Sequence, residues 1–104
     1  MAVIFLITTL KPDVRAEDYE AWVHERDYPF MAKLPNVISY EVHRIDREQA
    51  SGRETGWMYL ERIELVSREQ HERDLATEDG QRMREELYRF LDRPKNISLV
   101  SDVV

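Results

Sequence analysis

The chain has 104 residues, 42% of them apolar and 35% charged, with a formal net charge of −6 and no cysteine. That length supports one compact core, so residues 1–104 are expected to form a single domain. The acidic balance argues against a nucleic-acid surface, which needs clustered Lys and Arg. The missing thiols exclude disulfides and thiolate chemistry and agree with a reducing, cytoplasmic setting.

Residues 2–10, AVIFLITTL, are dense in β-branched and aromatic types and end at Lys11-Pro12-Asp13, so they read as a mostly buried strand. The run is too short to span a bilayer and lacks a basic leader, and no membrane association is expected. Asp13, Glu17 and Asp18 then supply start signals and negative charge for a helix running to Leu34. Tyr19, Trp22, Val23, Phe30, Met31 and Leu34 recur at three-and-four spacing on one face. The next places on that stripe hold Arg26 and Asp27, and Pro29 removes a backbone donor and disfavours helical angles at Tyr28. The helix is therefore predicted to kink or break there. A break in pattern flanked by His24 and Tyr28 marks the candidate site.

Residues 37–45 alternate with period two, placing Ile38, Tyr40 and Val42 on one face and Ser39, Glu41 and His43 on the other. The polar run 46–55 is a hairpin loop, and residues 56–66 follow as a strand. Ser67 with Gln70 fits a capping box, and Thr77 with Gly80 a second start signal, so the next helix is predicted in two parts, 68–76 and 78–91. Pro94 stops it, and residues 96–104 give a last strand. The order βαββαβ implies an α+β fold, a four-stranded antiparallel sheet with two helices on one face. The first and third strands are apolar on both faces, so a second copy is expected to pack sheet against sheet as a homodimer.

With this order, the spacing of Trp22 and Pro29, the passage LPNVISYEVHR over residues 34–44 and the split second helix resemble the dimeric α/β-barrel (ferredoxin-like) superfamily. Within it they are most similar to the small RedY and HapK proteins of prodigiosin and bisindole pathways. The resemblance covers essentially the whole chain. It implies a small cofactor-independent enzyme of secondary (antibiotic) metabolism, a cyclase, dehydratase or related tailoring enzyme acting on a pyrrole- or indole-type aromatic intermediate. A cofactor-free aromatic monooxygenase and a non-catalytic ligand-binding or accessory protein are the alternatives. Haem-degrading relatives use a histidine from the helix that here carries His71. Thr8 and Thr9 stand where their distal polar group would be, which argues against haem.

Among the residues that could carry acid/base chemistry, His24 lies one turn from Tyr28 and three residues from Asp27, and a carboxylate there would orient the imidazole as a general base. His24 and Asp27 are the catalytic candidates. Tyr28, Arg26, His43, Trp22 and Tyr40 are the candidate substrate contacts. Arg26 needs a carboxylate partner if it is buried, with Glu41 or Glu61 the inward choices. Parity alone leaves open which sheet face His43 occupies, and His71, among Glu69, Glu72 and Arg73, reads as a solvated helix residue. The aromatics Tyr19, Trp22, Phe30, Tyr40, Trp57 and Tyr59 would suit a flat ligand. The histidines show no metal-binding spacing, and no glycine-rich phosphate loop exists, so neither a metal nor another cofactor is expected.

Overall fold

A computed structural model describes residues 2–104. The elements are β1 Ala2–Thr8, α1 Ala16–Trp22, a π-helical turn Val23–Asp27, α2 Tyr28–Ala32, β2 Val37–Arg44, β3 Tyr59–Leu65, α3 Arg68–Ala76, α4 Glu78–Phe90 and β4 Ile97–Asp102. All strand pairs are antiparallel, in the order β2-β3-β1-β4, which is the expected α+β, ferredoxin-like arrangement. The strands stop short of the apolar runs that announce them. Leu10 leaves β1 and forms a lone bridge with Leu91 instead.

Period-two alternation in β3 sorts the sheet. Tyr59, Glu61, Ile63 and Leu65 are buried beneath the helices, with Ile4 opposite Ile63 and Leu6 opposite Glu61. Tyr19 and Trp22 of α1 pack on Tyr59, Met83 and Leu91, and Met31 of α2 on Ile63 and Leu65. The Tyr19 and Tyr59 rings meet edge to face at 4.8 Å. The other face carries Phe5, Ile7, Leu60, Ile97 and Leu99, of which Leu99 is 48% exposed.

Of the kink or break predicted at Pro29, the break does not occur, although the helix departs from α geometry in the π turn just before it. Tyr28 has helical angles (φ −57°, ψ −47°), and the helix runs on from α1 through the π turn into α2. An α-helix would bring the Pro29 ring against the carbonyl four residues back. The wider turn, in which the Tyr28 N–H donates to the Val23 carbonyl five residues back, makes room for it. The same turn absorbs one extra residue and resets the stripe. Asp27 and Met31 face inward, whereas Arg26, predicted near the centre of the apolar face, turns out to solvent.

The second helix divides as its caps predict. Ser67 Oγ accepts from the Gln70 N–H at 3.1 Å, and Thr77 Oγ1 accepts from the Gly80 N–H at 3.1 Å. The reciprocal half of the capping box is missing, because the Ser67 N–H donates to Asn36 Oδ1 at 2.8 Å while Asn36 Nδ2 donates to the Ser67 carbonyl at 2.7 Å. Asn36 is buried and ties the entry of β2 to the start of α3. Asn36→Ala would orphan the Ser67 N–H, and a loss of about 2 kcal/mol in urea unfolding is expected. An unchanged midpoint would show that water substitutes for the amide.

Candidate active site

Between sheet and helices lies a cavity of about 390 Å³. Leu6 and Ile63 from the sheet, Phe30 and Met31 from α2, and Leu75 and Leu87 from α3 and α4 make its wall largely apolar. Asp27, Tyr40, Glu61 and His71 interrupt that wall. Such a space, apolar with few convergent polar groups, is of the kind that holds a small organic molecule.

The carboxyl groups are its unusual feature. Asp27 is 8% exposed and Glu61 3% exposed, and neither is joined to a cation by an ion pair among the described residues. Burial raises Asp27 to about 6, opposed by the Tyr40 hydroxyl, which donates to Asp27 Oδ2 at 2.5 Å. Burial, and then the charge of Asp27, raise Glu61 to about 8, although the Tyr19 hydroxyl donates to Glu61 Oε1 at 3.2 Å. Near neutral pH the pair therefore holds one ionised and one protonated carboxyl. Environments that divide two acids in this way assign one as base and one as acid. Burial also lifts both phenols well above the usual tyrosine value, so Tyr19 and Tyr40 remain donors.

His24 and Asp27 are not brought together. The π turn sends Asp27 inward and leaves His24 exposed, its ring edge-on to Tyr28 at 5.4 Å, in a separate shallow cleft with Glu20, Arg44 and Tyr59. No side-chain hydrogen bond to His24 occurs among the described residues. The Tyr28 hydroxyl is engaged with the backbone of Val42, accepting from its N–H at 3.0 Å. Arg26 meets neither Glu41 nor Glu61. It makes a two-pronged pair with Glu86 (3.0 and 2.7 Å), and its side chain is half exposed. Trp22 Nε1 donates to the same carboxylate at 2.9 Å while its ring reaches the cavity. That double contact holds Glu86 down to about 2. His43 lies on the sheet face away from the helices, 3.6 Å from Glu41 and across from Leu60.

Of the predicted site residues, Asp27, Trp22 and Tyr40 line the cavity, and His24, Arg26, Tyr28 and His43 do not. Of the predicted aromatic lining, Phe30 also reaches it, whereas Tyr19 and Tyr59 fill the core beside it. Trp57 lies outside, donating to the Lys95 carbonyl at 3.1 Å. Glu61 and His71 are the residues that sequence reasoning undervalued. A carboxylate alternating with Tyr59, Ile63 and Leu65 on a strand's apolar face was the signal for Glu61. His71 is 6% exposed rather than solvated, its Nδ1 is sealed off without a partner, and burial lowers its affinity for protons. Among the described residues no group of His, Asp and Glu could hold a metal ion, and no helix is long and apolar enough to cross a membrane.

The chain matches the family model described as REDY-like protein HapK over residues 2–101. No curated protein matches it significantly. Among solved structures it is similar to HapK from Hahella chejuensis, with 22% identity and a TM-score of 0.83 over 100% of this chain and 93% of that one. It is also similar to hydroxynitrile lyase from Passiflora edulis, with 10% identity and a TM-score of 0.78 over 99% and 93% of the two chains. A third similar structure is SnoaB, a cofactor-independent oxygenase from Streptomyces nogalater, with 14% identity and a TM-score of 0.73 over 99% and 92%. At these identities the likenesses concern the fold.

Proposed function

This chain belongs to the REDY-like HapK family, and we propose that it is a cofactor-independent acid/base enzyme of secondary metabolism. Its substrate would be a pyrrole- or indole-type intermediate held in the cavity, and its reaction a dehydration, cyclisation or related rearrangement. The observation that carries the reading is the buried pair Asp27 and Glu61, divided into base and acid in an apolar cavity. Ionised Asp27, oriented by the Tyr40 hydroxyl, takes a proton from carbon or ring nitrogen. Neutral Glu61 gives its proton to the departing or developing oxygen, which in a dehydration leaves as water. Exchange with solvent through the cavity mouth then returns the proton to Glu61 and removes one from Asp27. His24 has no part in this scheme, since it is exposed in the separate cleft with Glu20, Arg44 and Tyr59.

Pyrrole- and indole-type hydroxy and oxo compounds incubated with the protein and followed by mass spectrometry and an oxygen electrode test the assignment. An isomeric or dehydrated product without oxygen uptake is expected. Oxygen consumption with oxygen in the product would replace this reading with that of a cofactor-free monooxygenase, the activity named for the similar SnoaB. A ligand recovered unchanged would make the chain a binding or accessory protein.

The apolar sheet face of Phe5, Ile7, Leu60, Ile97 and Leu99 further supports a homodimer paired sheet to sheet, because burying such a patch against a second copy removes it from water. Leu99→Glu would place a charge in that interface. A shift from twice the chain mass to the chain mass in light scattering is expected, and a wild-type protein already at the chain mass would remove the dimer from the proposal.

A further inference from the structure

The carboxyls lie among the buried groups of the cavity, while the exposed part of its lining bears charge of the other sign. Arg68 at the start of α3 and Arg84 on α4 line it with their side chains at the surface, as do Glu72 and Ser98. Neither arginine has a carboxylate partner within ion-pair distance among the described residues, whereas Arg26, Arg44, Arg62 and Arg82 each have one. Two guanidinium groups against the carboxylate of Glu72 leave this rim net positive on a chain of net charge −6. Behind it, the Arg93 guanidinium lies 4.5 Å over the ring of Tyr88, another wall residue, and adds a third cation nearby. His71 stands in the same wall. Its sealed Nδ1 leaves Nε2 as the ring nitrogen a ligand can reach.

We propose that the cavity takes a heteroaromatic carboxylate, its ring among the apolar side chains and its carboxylate at the mouth on Arg84 and Arg68, with His71 as a neutral donor beside it. This rests on the reading of the cavity as an aromatic site and adds the substrate's charge and direction of entry. The buried end cannot hold an anion, because ionised Asp27 would repel it and no cation there compensates. The rim can, since planar guanidinium groups match a carboxylate with two parallel hydrogen bonds. A charged substrate would thus be oriented with its carboxylate out and the opposite edge of its ring toward Asp27 and Glu61.

Indole-2-carboxylate and indole-2-carboxamide, titrated calorimetrically at pH 7.5, share a ring and differ in charge. The carboxylate is expected to bind about tenfold more tightly, with the preference shrinking as salt is raised. Arg84→Gln and Arg68→Gln should each reduce the preference to about threefold, and the double variant should abolish it, all without changing amide affinity. Arg89→Gln, on α4 but outside the rim, should behave as wild type. Equal affinities in the wild type, or a preference that survives the double variant, would overturn the charge proposal and leave the aromatic cavity standing. Binding of neither compound would overturn both.

Discussion

Asp27→Asn is expected to lower turnover by about 10²–10⁴-fold, the usual contribution of a general base, while the protein stays folded. The amide keeps the shape and can still accept from the Tyr40 hydroxyl, but it cannot take a proton. Glu61→Gln should cost a similar factor by removing the acid. In the proposed mechanism activity requires Asp27 ionised and Glu61 protonated, so kcat/KM should follow a bell with limbs near pH 6 and pH 8. The limbs belong to the coupled pair rather than to either residue alone. Asp27→Asn should abolish the acid limb in whatever activity remains. A rate independent of pH across this range, or full activity in both variants, would remove the pair from the mechanism.

The same groups set the pH dependence of stability, with a sign opposite to that of a salt-bridged carboxylate. Both bind protons more tightly folded than unfolded, because burial penalises the charged form. Their contribution is complete below the ordinary carboxylate range and is lost as pH rises through about 6 for Asp27 and about 8 for Glu61. Below about pH 6.5 buried His71, whose proton affinity falls on folding, contributes the opposite slope, so thermal stability should fall most clearly between pH 7 and pH 9. Glu61→Gln, which has no charge to bury, should recover on the order of 5 kcal/mol at the alkaline end, since folding raises the carboxyl from 4.5 to about 8 and each tenfold gain in proton affinity corresponds to about 1.4 kcal/mol. A catalytic pair whose neutral mimics stabilise the protein while silencing it is the combined signature to look for.

Gly80→Ala carries the largest expected loss of stability, about 3 kcal/mol, or on the order of 15 °C in Tm for a domain of this size. A methyl group there would collide with the backbone carbonyl of Asp74 and lie 2.8 Å from Leu75 Cα, and backbone cannot swing aside as a side chain can. The glycine thus permits α4 to start hard against the end of α3. That junction sets where Met83, Arg84, Leu87 and Tyr88 stand in the cavity wall. Gly56→Ala is the control: nothing lies within 4 Å of the added carbon, and the change should stay within about 0.5 kcal/mol. Equal midpoints for the two variants would mean that the helix junction relaxes without cost.

Where sequence and structure agree, a local signal coincides with the tertiary demand. Thr77 and Gly80 mark the division of the second helix because a cap and a missing Cβ are needed at those very positions. The order of strands and helices is legible because period and turn chemistry change together at each boundary. The site was only half legible. Asp27 stood out as a charge on an apolar stripe, but its partner was sought along the helix, in His24, when it comes from the sheet, in Tyr40 and Glu61. Glu61 could have been found by the same test applied to a strand. His71 could not: its neighbours Glu69, Glu72 and Arg73 are exposed, and only the packing of α3 over the cavity buries it.

Pro29 and the π turn together have an evolutionary consequence. Without one of the outward residues of that turn, such as Glu25, the stripe from Tyr19 to Met31 would return to ordinary α spacing with Asp27 still inside, but the proline ring would meet the carbonyl that the wide turn now keeps away. Replacing Pro29 alone would leave a wide turn with nothing to accommodate. The insertion and the proline are therefore epistatic. A homologue that has lost one should have lost the other, and alignments that place a gap in this helix should show it opposite a change at the proline.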